Sequence, residues 1–207
     1  MCKFHSAIVL RNGDILHNEN LSSHEDLIRL FDINDTQMNC DKFVRVEFCP
    51  DNTSDYPDID KYKLNVDEES TPDWFEKHRD YVTERLRDFV SKRIISSDKK
   101  ILTGGLYVVT NCLINKVINA QVVYLNGTVQ RVEAGGTVQR VEAGGTVQRV
   151  WDGGTVQRVW YGGTVQEVMD GGTVQEVWYG GTVQEVLARG TVQEVWDGGT
   201  VIKDYNK

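Results

Sequence analysis

Residues 153–179 read GGTVQRVWYGGTVQEVMDGGTVQEVWY, which is three copies of one nine-residue unit. On both sides of this stretch the unit continues, and its threonine recurs every nine residues at Thr128, Thr137, Thr146, Thr155, Thr164, Thr173, Thr182, Thr191 and Thr200. A short fixed period is typical of a solenoid, in which each repeat buries its apolar residues only against its neighbours. The sequence therefore predicts a β-solenoid over residues 127–207.

A second, longer period runs through the same copies. The two residues after the second valine alternate as Trp-Asp, Trp-Tyr, Met-Asp and Trp-Tyr between residues 151 and 179. This alternation predicts two nonapeptides in each coil of about 18 residues, with parallel strands stacked about 4.8 Å apart, and hence four to five coils. Paired valines such as Val156 and Val159 should face inward, with a bend or bulge between them because a regular strand alternates its faces. The repeated Gly-Gly should supply a turn with positive φ.

Residues 102–126 are interpreted as degenerate repeats that cap the solenoid. In this interpretation NAQVVYLN, starting at Asn119, occupies the frame of TVQRVEAG, and TNCLINKV is an earlier, looser copy. The sequence before residue 127 is thus less regular than the copies that follow it.

Residues 1–101 carry the patterns of an α+β domain with the order ββαββα. Asn12-Gly13 predicts a hairpin, and Ser22 or Ser23 predicts the cap of a first helix. The alternating segments KFVRVEF and YKLNV predict two strands. A second helix is expected over residues 71–95, with Thr71 as N-cap, Pro72 at its first position and an apolar stripe that includes Tyr81.

The net charge of −8 is unevenly distributed, because residues 47–80 hold eleven acidic residues against four basic ones. Such a balance makes direct nucleic-acid binding an unfavourable interpretation, since affinity for phosphates comes from clustered Lys and Arg. The acidic stretch is interpreted either as a solvated face or as a surface that attracts a protein partner. Asp152, Asp170 and Asp197 give an aspartate to only some of the copies, which argues against calcium, and the histidine spacings contain no metal motif. The sequence predicts no metal and no cofactor.

No apolar run has the length of a membrane helix, and the four cysteines form no CxxC pair. A cytoplasmic protein with reduced thiols and no membrane association is therefore expected. Met1-Cys2 raises one enzymatic alternative, because removal of Met1 would make Cys2 an N-terminal residue, with a thiol beside an α-amine that can act as its base. In these two residues the chain resembles the opening of glutamine amidotransferases of that class. Cys2 is thus a candidate nucleophile of an amidohydrolase.

The residue before the second valine changes from arginine to glutamate halfway along the repeats. The residues are Arg131, Arg140, Arg149, Arg158, Glu167, Glu176, Glu185 and Glu194. On a solenoid they should stack in ladders of like charge, which repel one another. Two antiparallel rods would set each Arg half against a Glu half, so the leading hypothesis is an antiparallel homodimer through the solenoid. The alternative is a duplicated block whose two ladders are simply solvated.

Aromatic residues concentrate in the later copies. They are Trp151, Trp160, Trp178 and Trp196, together with Tyr161 and Tyr179. A coil of 18 residues should place Trp160, Trp178 and Trp196 in one column. Trp and Tyr are enriched where proteins bind one another, so these residues are candidate interface residues. The alternatives are a platform that stacks sugars or bases and a column in which each Trp only covers its neighbour.

The stretches MCKFHSAIV, SHEDLI and VDEESTPDWF resemble those of a group of uncharacterised phage and bacterial proteins that end in short β-solenoid repeats. The resemblance spans roughly residues 1–110 by motif and implies an architecture and a phage setting, without a catalytic residue. We therefore expect a non-enzymatic binding or assembly protein, whose solenoid is a homodimerisation or docking surface. Engagement of a host factor in a phage setting is an extension of this hypothesis.

Overall fold

A computed structural model describes residues 5–36 and 41–206, and divides the chain into the compact units Met1–Ile94 and Ile95–Lys207. The predicted fold class is confirmed, because a small α+β unit is followed by a parallel β-solenoid of about six coils. Among the helices of the described residues, none combines the length and the apolar character needed to cross a membrane.

The first unit is built on an antiparallel sheet with the strand order β2-β1-β3-β4. Its elements are β1 Ser6–Leu10, β2 Ile15–Leu16, α1 His24–Leu30, β3 Phe43–Cys49, β4 Lys63–Val66, α2 Asp73–Glu76 and α3 Arg79–Ser91, with 3-10 turns at Thr53–Asp55 and Ile59–Lys61. The predicted hairpin turns at Asn12-Gly13, where Gly13 has a φ of +90°. Ser23 is the N-cap of α1 and accepts the backbone N–H of Asp26. These two local predictions are confirmed.

The second predicted helix differs from the observed structure in two respects. It is interrupted between Glu76 and Arg79, and its N-cap is Pro72 rather than Thr71. Phe75, in the short α2, is completely buried. Tyr81 was expected on the apolar stripe, yet it is 53% exposed, because the buried face of α3 is formed by Val82, Leu86 and Val90. These are consequences of packing that helical spacing alone does not contain.

The second unit begins with β5 Ile94–Ile95, at the boundary, and the longer strands that follow. The strands are β6 Lys99–Thr103, β7 Leu106–Ile118, β8 Gln121–Val132, β9 Thr137–Val141, β10 Thr146–Val150, β11 Thr155–Val159, β12 Thr164–Val168, β13 Thr173–Val177, β14 Thr182–Val186, β15 Thr191–Val195 and β16 Thr200–Asp204. They form two parallel columns. Column one is the second half of β8 followed by β10, β12, β14 and β16; column two is the first half of β8 followed by β9, β11, β13 and β15.

The coil length of 18 residues is confirmed by the strand register. Thr146 pairs with Thr164 in column one, and Thr155 pairs with Thr173 in column two. The two valines of each copy from Thr128 to Val186, such as Val156 and Val159, are buried, whereas Val195 of the later copy is 49% exposed. In neighbouring strands the threonines, the charged residues and both valines are paired, but the glutamine after the first valine is not. A break in the pleat at this glutamine turns the side chains of both valines inward. Burial of each valine contributes about 1.5–3 kcal/mol.

The frame predicted for the upstream repeats is wrong by two residues. Gln121, and not Asn119, pairs with Thr137, so this coil has 16 residues rather than 18. The reason is that β8 passes from one column to the other through Asn126-Gly127, without the longer turn of the regular copies. A Cβ on Gly127 would lie 2.7 Å from the carbonyl oxygen of Cys112, so this bend requires glycine.

Each regular coil is closed by turns in which the two glycines have different tasks. In the turn after Val150, the N–H of Gly154 donates to the carbonyl oxygen of Trp151 at 2.8 Å, and Gly153 has a φ of +71°. Positive φ at the third residue is the type II arrangement. A Cβ on Gly154 would lie 2.2 Å from the carbonyl oxygen of Val132 in the preceding coil. The first glycine therefore allows the positive φ of the turn, and the second allows the close contact between coils.

One copy departs from this rule, because Arg189 occupies the position of the first glycine with a φ of +64°. We predict that Arg189→Gly raises the free energy of unfolding of the solenoid by about 1 kcal/mol, since a side chain in the left-handed region is strained. Urea unfolding followed by circular dichroism measures the change. Arg189→Ala is the matched control: it also removes the exposed ion pair with Asp170 but keeps the Cβ, so it should not stabilise the protein. Equal stabilisation by both variants would contradict the backbone explanation.

Candidate functional site

The charged residues of the repeats stack as the sequence predicts. In column one Arg131 pairs with Arg149, Arg149 with Glu167 and Glu167 with Glu185 along the sheet. In column two the order is Arg140, Arg158, Glu176 and Glu194. Each column therefore contains one junction where an arginine meets a glutamate of the next coil.

Both junctions are ion pairs within the chain. The Nε of Arg149 lies 2.8 Å from Oε2 of Glu167, and the Nε of Arg158 lies 3.1 Å from Oε2 of Glu176. Glu176 also accepts the indole N–H of Trp178 at 2.7 Å. The change from Arg to Glu halfway along the repeats thus creates two attractive contacts inside one molecule.

The arginines of the earlier coils are neutralised by residues that the sequence analysis did not assign to the ladders. Arg131 lies 3.4 Å from Glu133, and Arg140 lies 2.7 Å from Glu142, although its Nε–H is not aligned for a hydrogen bond. Burial raises the pKa of Glu142, and the charge of Arg140 acts in the opposite direction. The signal was present in the sequence, because Glu occupies this position only in the two copies that precede the first Trp.

The late end of column one is neutralised in the same way. The ammonium group of Lys203 lies 2.9 Å from Glu185, and this hydrogen bond raises the pKa of the lysine. Among the described residues, Glu194 is the one member of the eight-residue ladder set without an ion pair. Repulsion between like charges, which motivated the antiparallel dimer, is therefore largely offset within the chain.

The predicted tryptophan column is confirmed as a geometric feature. The ring centroids of Trp160 and Trp178 lie 4.9 Å apart, and those of Trp178 and Trp196 lie 5.0 Å apart, the latter pair nearly parallel at 18°. Beside them the rings of Tyr161 and Tyr179 stack at 6.1 Å with an angle of 9°. We call these five residues, Trp160, Tyr161, Trp178, Tyr179 and Trp196, the aromatic edge.

The tryptophans and tyrosines of the aromatic edge differ in exposure. The guanidinium group of Arg140 lies over the ring of Trp160, and both Trp160 and Trp178 are half-buried. Tyr161 and Tyr179 are 62% and 68% exposed. Trp151 belongs to the other corner of the coil, where its backbone N–H bonds the carbonyl oxygen of Val132, so it lies outside this column. Its grouping with the other aromatics as one interface set remains a prediction.

The acidic stretch at residues 47–80 is partly neutralised by neighbouring bases. Its ion pairs with lysine and arginine are Asp51–Lys63, Asp60–Arg87, Glu68–Arg45 and Glu76–Arg79. Two of the bases, Arg45 and Arg87, come from outside the stretch. The hypothesis of a protein partner at this surface stays a prediction.

Cys2, the candidate nucleophile, lies outside the described residues, so its proposed role stays a prediction. Among the described cysteines, Cys49 is buried and Cys112 is half-buried. Burial raises the pKa of the Cys112 thiol, which makes it less reactive than an ordinary cysteine.

Two histidines of the first unit, His5 and His17, form a cluster with Phe89. His5 stacks on Phe89 with a centroid distance of 4.7 Å, and His17 contacts the same ring edge-on at 4.3 Å. His5 is buried, and burial together with the charges of His17 and Arg93 lowers its pKa to about 3. His17 also lines a cavity of about 350 Å³ with Arg85 and Lys92. A neutral imidazole at His5 is therefore part of the folded core.

No protein-family model, curated protein or solved structure matches this chain. The resemblance to phage and bacterial proteins accordingly rests on its sequence motifs alone and remains a prediction.

The junction ion pairs predict a small and specific effect on stability. Glu176→Gln should lower the free energy of unfolding of the solenoid by about 0.5–1 kcal/mol at low salt, because it removes the charge facing Arg158 while Gln can still accept from Trp178. Urea unfolding at low and high salt measures the difference, which should shrink as salt rises. Glu194→Gln is the control; it should leave stability unchanged or slightly higher, since it relieves repulsion with Glu176. Equal losses in both variants would contradict pairing at the junction.

The buried His5 predicts a loss of stability in acid. Because its folded pKa lies near 3 and its ordinary value is 6.5, the unfolded chain takes up a proton that the folded chain rejects. The contribution of His5 is fully present above pH 6.5 and declines as pH falls, by at most about 1.4 kcal/mol per pH unit. Urea unfolding of the protein and of His5→Phe across this range isolates the contribution as a difference. Parallel curves for the two proteins would show that His5 does not titrate in this way.

Proposed function

We propose that the protein is a non-enzymatic binding and assembly protein, and that the aromatic edge of its solenoid is a homodimerisation surface. The observation that carries this proposal is the exposure of Tyr161 and Tyr179 in one stacked row beside the tryptophan column. Large aromatic rings release most free energy when they are taken out of water, and they are the residues most enriched at binding hot spots.

The distribution of exposed apolar side chains supports the same surface. Among the described residues, seven of the eleven large apolar side chains that are exposed lie in the later copies: Trp151, Tyr161, Tyr179, Val195, Trp196, Ile202 and Tyr205. Trp196 is the member of the aromatic edge that lies furthest along these copies. A concentration of this kind marks an interaction site more often than scattered single residues do.

A second copy of the chain is the occupant that fits this surface best. The rings of the aromatic edge are spaced by one coil, so a twofold-related row has the same spacing and can interdigitate with it. An antiparallel arrangement brings the Arg half of one copy to the Glu half of the other, and it offers Glu194 a basic neighbour. Because most ladder charges are already paired within each chain, we expect aromatic burial to dominate the association.

A dimer formed through the aromatic edge also differs from a charge-driven dimer in its response to salt. Dimerisation that depends on unscreened ladders would weaken strongly as salt rises. Dimerisation through the aromatic edge should weaken only slightly, since burial of apolar surface is not screened.

The test is solution mass by light scattering over a range of protein concentrations and salt. We predict a dimer for the unchanged protein and a monomer for Tyr161→Ser/Tyr179→Ser. Tyr81→Ser is the matched control, because Tyr81 is similarly exposed but lies on α3 of the first unit, and this variant should remain a dimer. The thermal unfolding of all three proteins shows whether the solenoid is intact.

Two outcomes would overturn the proposal. A monomer at every concentration would exclude the second copy and direct attention to a heterologous protein partner, with the acidic stretch at residues 47–80 and a host factor as the next hypotheses. A dimer that persists in the double tyrosine variant but dissociates in high salt would favour the charged ladders as the contact instead.

A further inference from the structure

The first unit brings together three side chains that are distant in the sequence, His24, Glu47 and Asp67. Each offers one ligand atom, and these atoms all lie within 4.8 Å of one another. His24 is the first residue of α1, Glu47 lies on the central strand β3, and Asp67 follows β4 directly. The sheet register, rather than a sequence motif, creates this cluster.

The protonation of His24 is determined by its environment. Its Nε2 lies 3.0 Å from the carbonyl oxygen of Val46, and a carbonyl oxygen only accepts hydrogen bonds. Nε2 must therefore carry a proton, and in the neutral imidazole Nδ1 presents a lone pair. Metal-binding histidines in proteins are commonly held in this way, with the second ring nitrogen donating to a backbone carbonyl.

The lone pair of Nδ1 faces a carboxylate oxygen. Nδ1 lies 3.2 Å from Oδ2 of Asp67, and both atoms are acceptors. Two acceptors at this distance need a cation between them, which is either a proton on His24 or a metal ion. A metal held at about 2.1 Å by both atoms would place them about 3.4 Å apart in tetrahedral geometry, close to the observed distance.

Backbone pairing positions Asp67 at the edge of this cluster. The backbone N–H of Asp67 donates to the carbonyl oxygen of Arg45 at 2.9 Å, which positions the residue at the end of β4. The guanidinium group of Arg45 is itself bound by Glu68 and Asp35. Arg45, on the same strand as Glu47, therefore has carboxylate partners of its own.

We propose that His24, Glu47 and Asp67 bind a divalent first-row transition metal ion. One imidazole nitrogen and two carboxylate oxygens form a donor set suited to Zn²⁺, Mn²⁺ or Fe²⁺, and a charge of −2 on the ligands matches a divalent cation. His24 is buried, whereas the side chain of Asp67 is 63% exposed, so the remaining coordination positions face solvent and are filled by water. This site is independent of the solenoid and goes beyond the proposed assembly function.

The experiment is calorimetric titration of the full, untagged chain with Zn²⁺ and separately with Mn²⁺. The manganese titration is included because Mn²⁺ prefers oxygen and nitrogen ligands, so the cysteine thiols do not contribute to it. We expect saturable binding of one ion per chain. In the zinc-bound protein, nitrogen-15 spectra of the His24 ring should show metal on Nδ1 and a retained proton on Nε2.

The variants separate this site from general attraction to acidic residues. Glu47→Gln and Asp67→Asn should each weaken binding at least tenfold, whereas Asp51→Asn, which alters another exposed carboxylate of the same unit, should bind like the unchanged protein. His24→Gln keeps a donor for Val46 while it removes the ring ligand, and circular dichroism shows whether it folds. Absence of saturable binding, or equal binding by the three carboxylate variants, would overturn the proposal and leave an ion pair between protonated His24 and Asp67.

Discussion

The solenoid depends on a contact that no residue other than glycine can make. At the second glycine of each turn the backbone approaches the carbonyl oxygen of the preceding coil so closely that a Cβ would lie about 2.2–2.5 Å from it, as at Gly154 above Val132. This approach lets every turn have the same conformation, and identical turns give coils of identical length. Only then do residues 18 apart occupy the same place on successive coils. The buried valines, the charged columns and the aromatic edge all follow from this regular register.

Regular stacking also imposes a condition on the surface. A charged side chain that occurs in every coil forms a column along the solenoid. The equal charges of such a column repel one another. The chain meets this condition by compensation within itself: Glu133 and Glu142 beside the early arginines, the two Arg–Glu junctions in the middle, and Lys203 at the late end. Aromatic residues can be stacked without such a penalty, because parallel and tilted rings attract one another. The surface that remains after charge compensation is consequently defined by its aromatic rings.

The sequence was informative wherever the structure repeats and less so elsewhere. The nine-residue period and the alternation of Trp-Asp with Trp-Tyr were enough to predict two nonapeptides per coil, inward valines and the column of Trp160, Trp178 and Trp196. The frame of Gln121–Val132 was missed because its coil is shorter, and coil length before the regular copies depends on the bend at Gly127. The compensation of Arg131 and Arg140 was missed because the neighbours of a side chain on a solenoid include the residue just past the end of its own strand as well as those one coil away. The cluster of His24, Glu47 and Asp67 has no sequence signature, since the three residues are about 20 positions apart and meet only through the register of β3 and β4. Cys2 lies outside the described residues, and its role stays as the sequence left it.

The two columns have a consequence for changes in the number of repeats. The interior is the same for the nonapeptides between Thr128 and Val186, since each of them delivers two valines to the core, so the insertion or loss of nine residues within this stretch leaves the core intact. The exterior has the longer period, and a change of nine residues would exchange the two corners of every following coil. Trp178 would then continue the corner of Trp151, and the row of Tyr161 and Tyr179 would be broken. Growth or shortening by single copies is compatible with stability, but only steps of two copies preserve the recognition surface. The core of the solenoid thus depends on a period of nine residues, whereas its exposed surface depends on a period of eighteen.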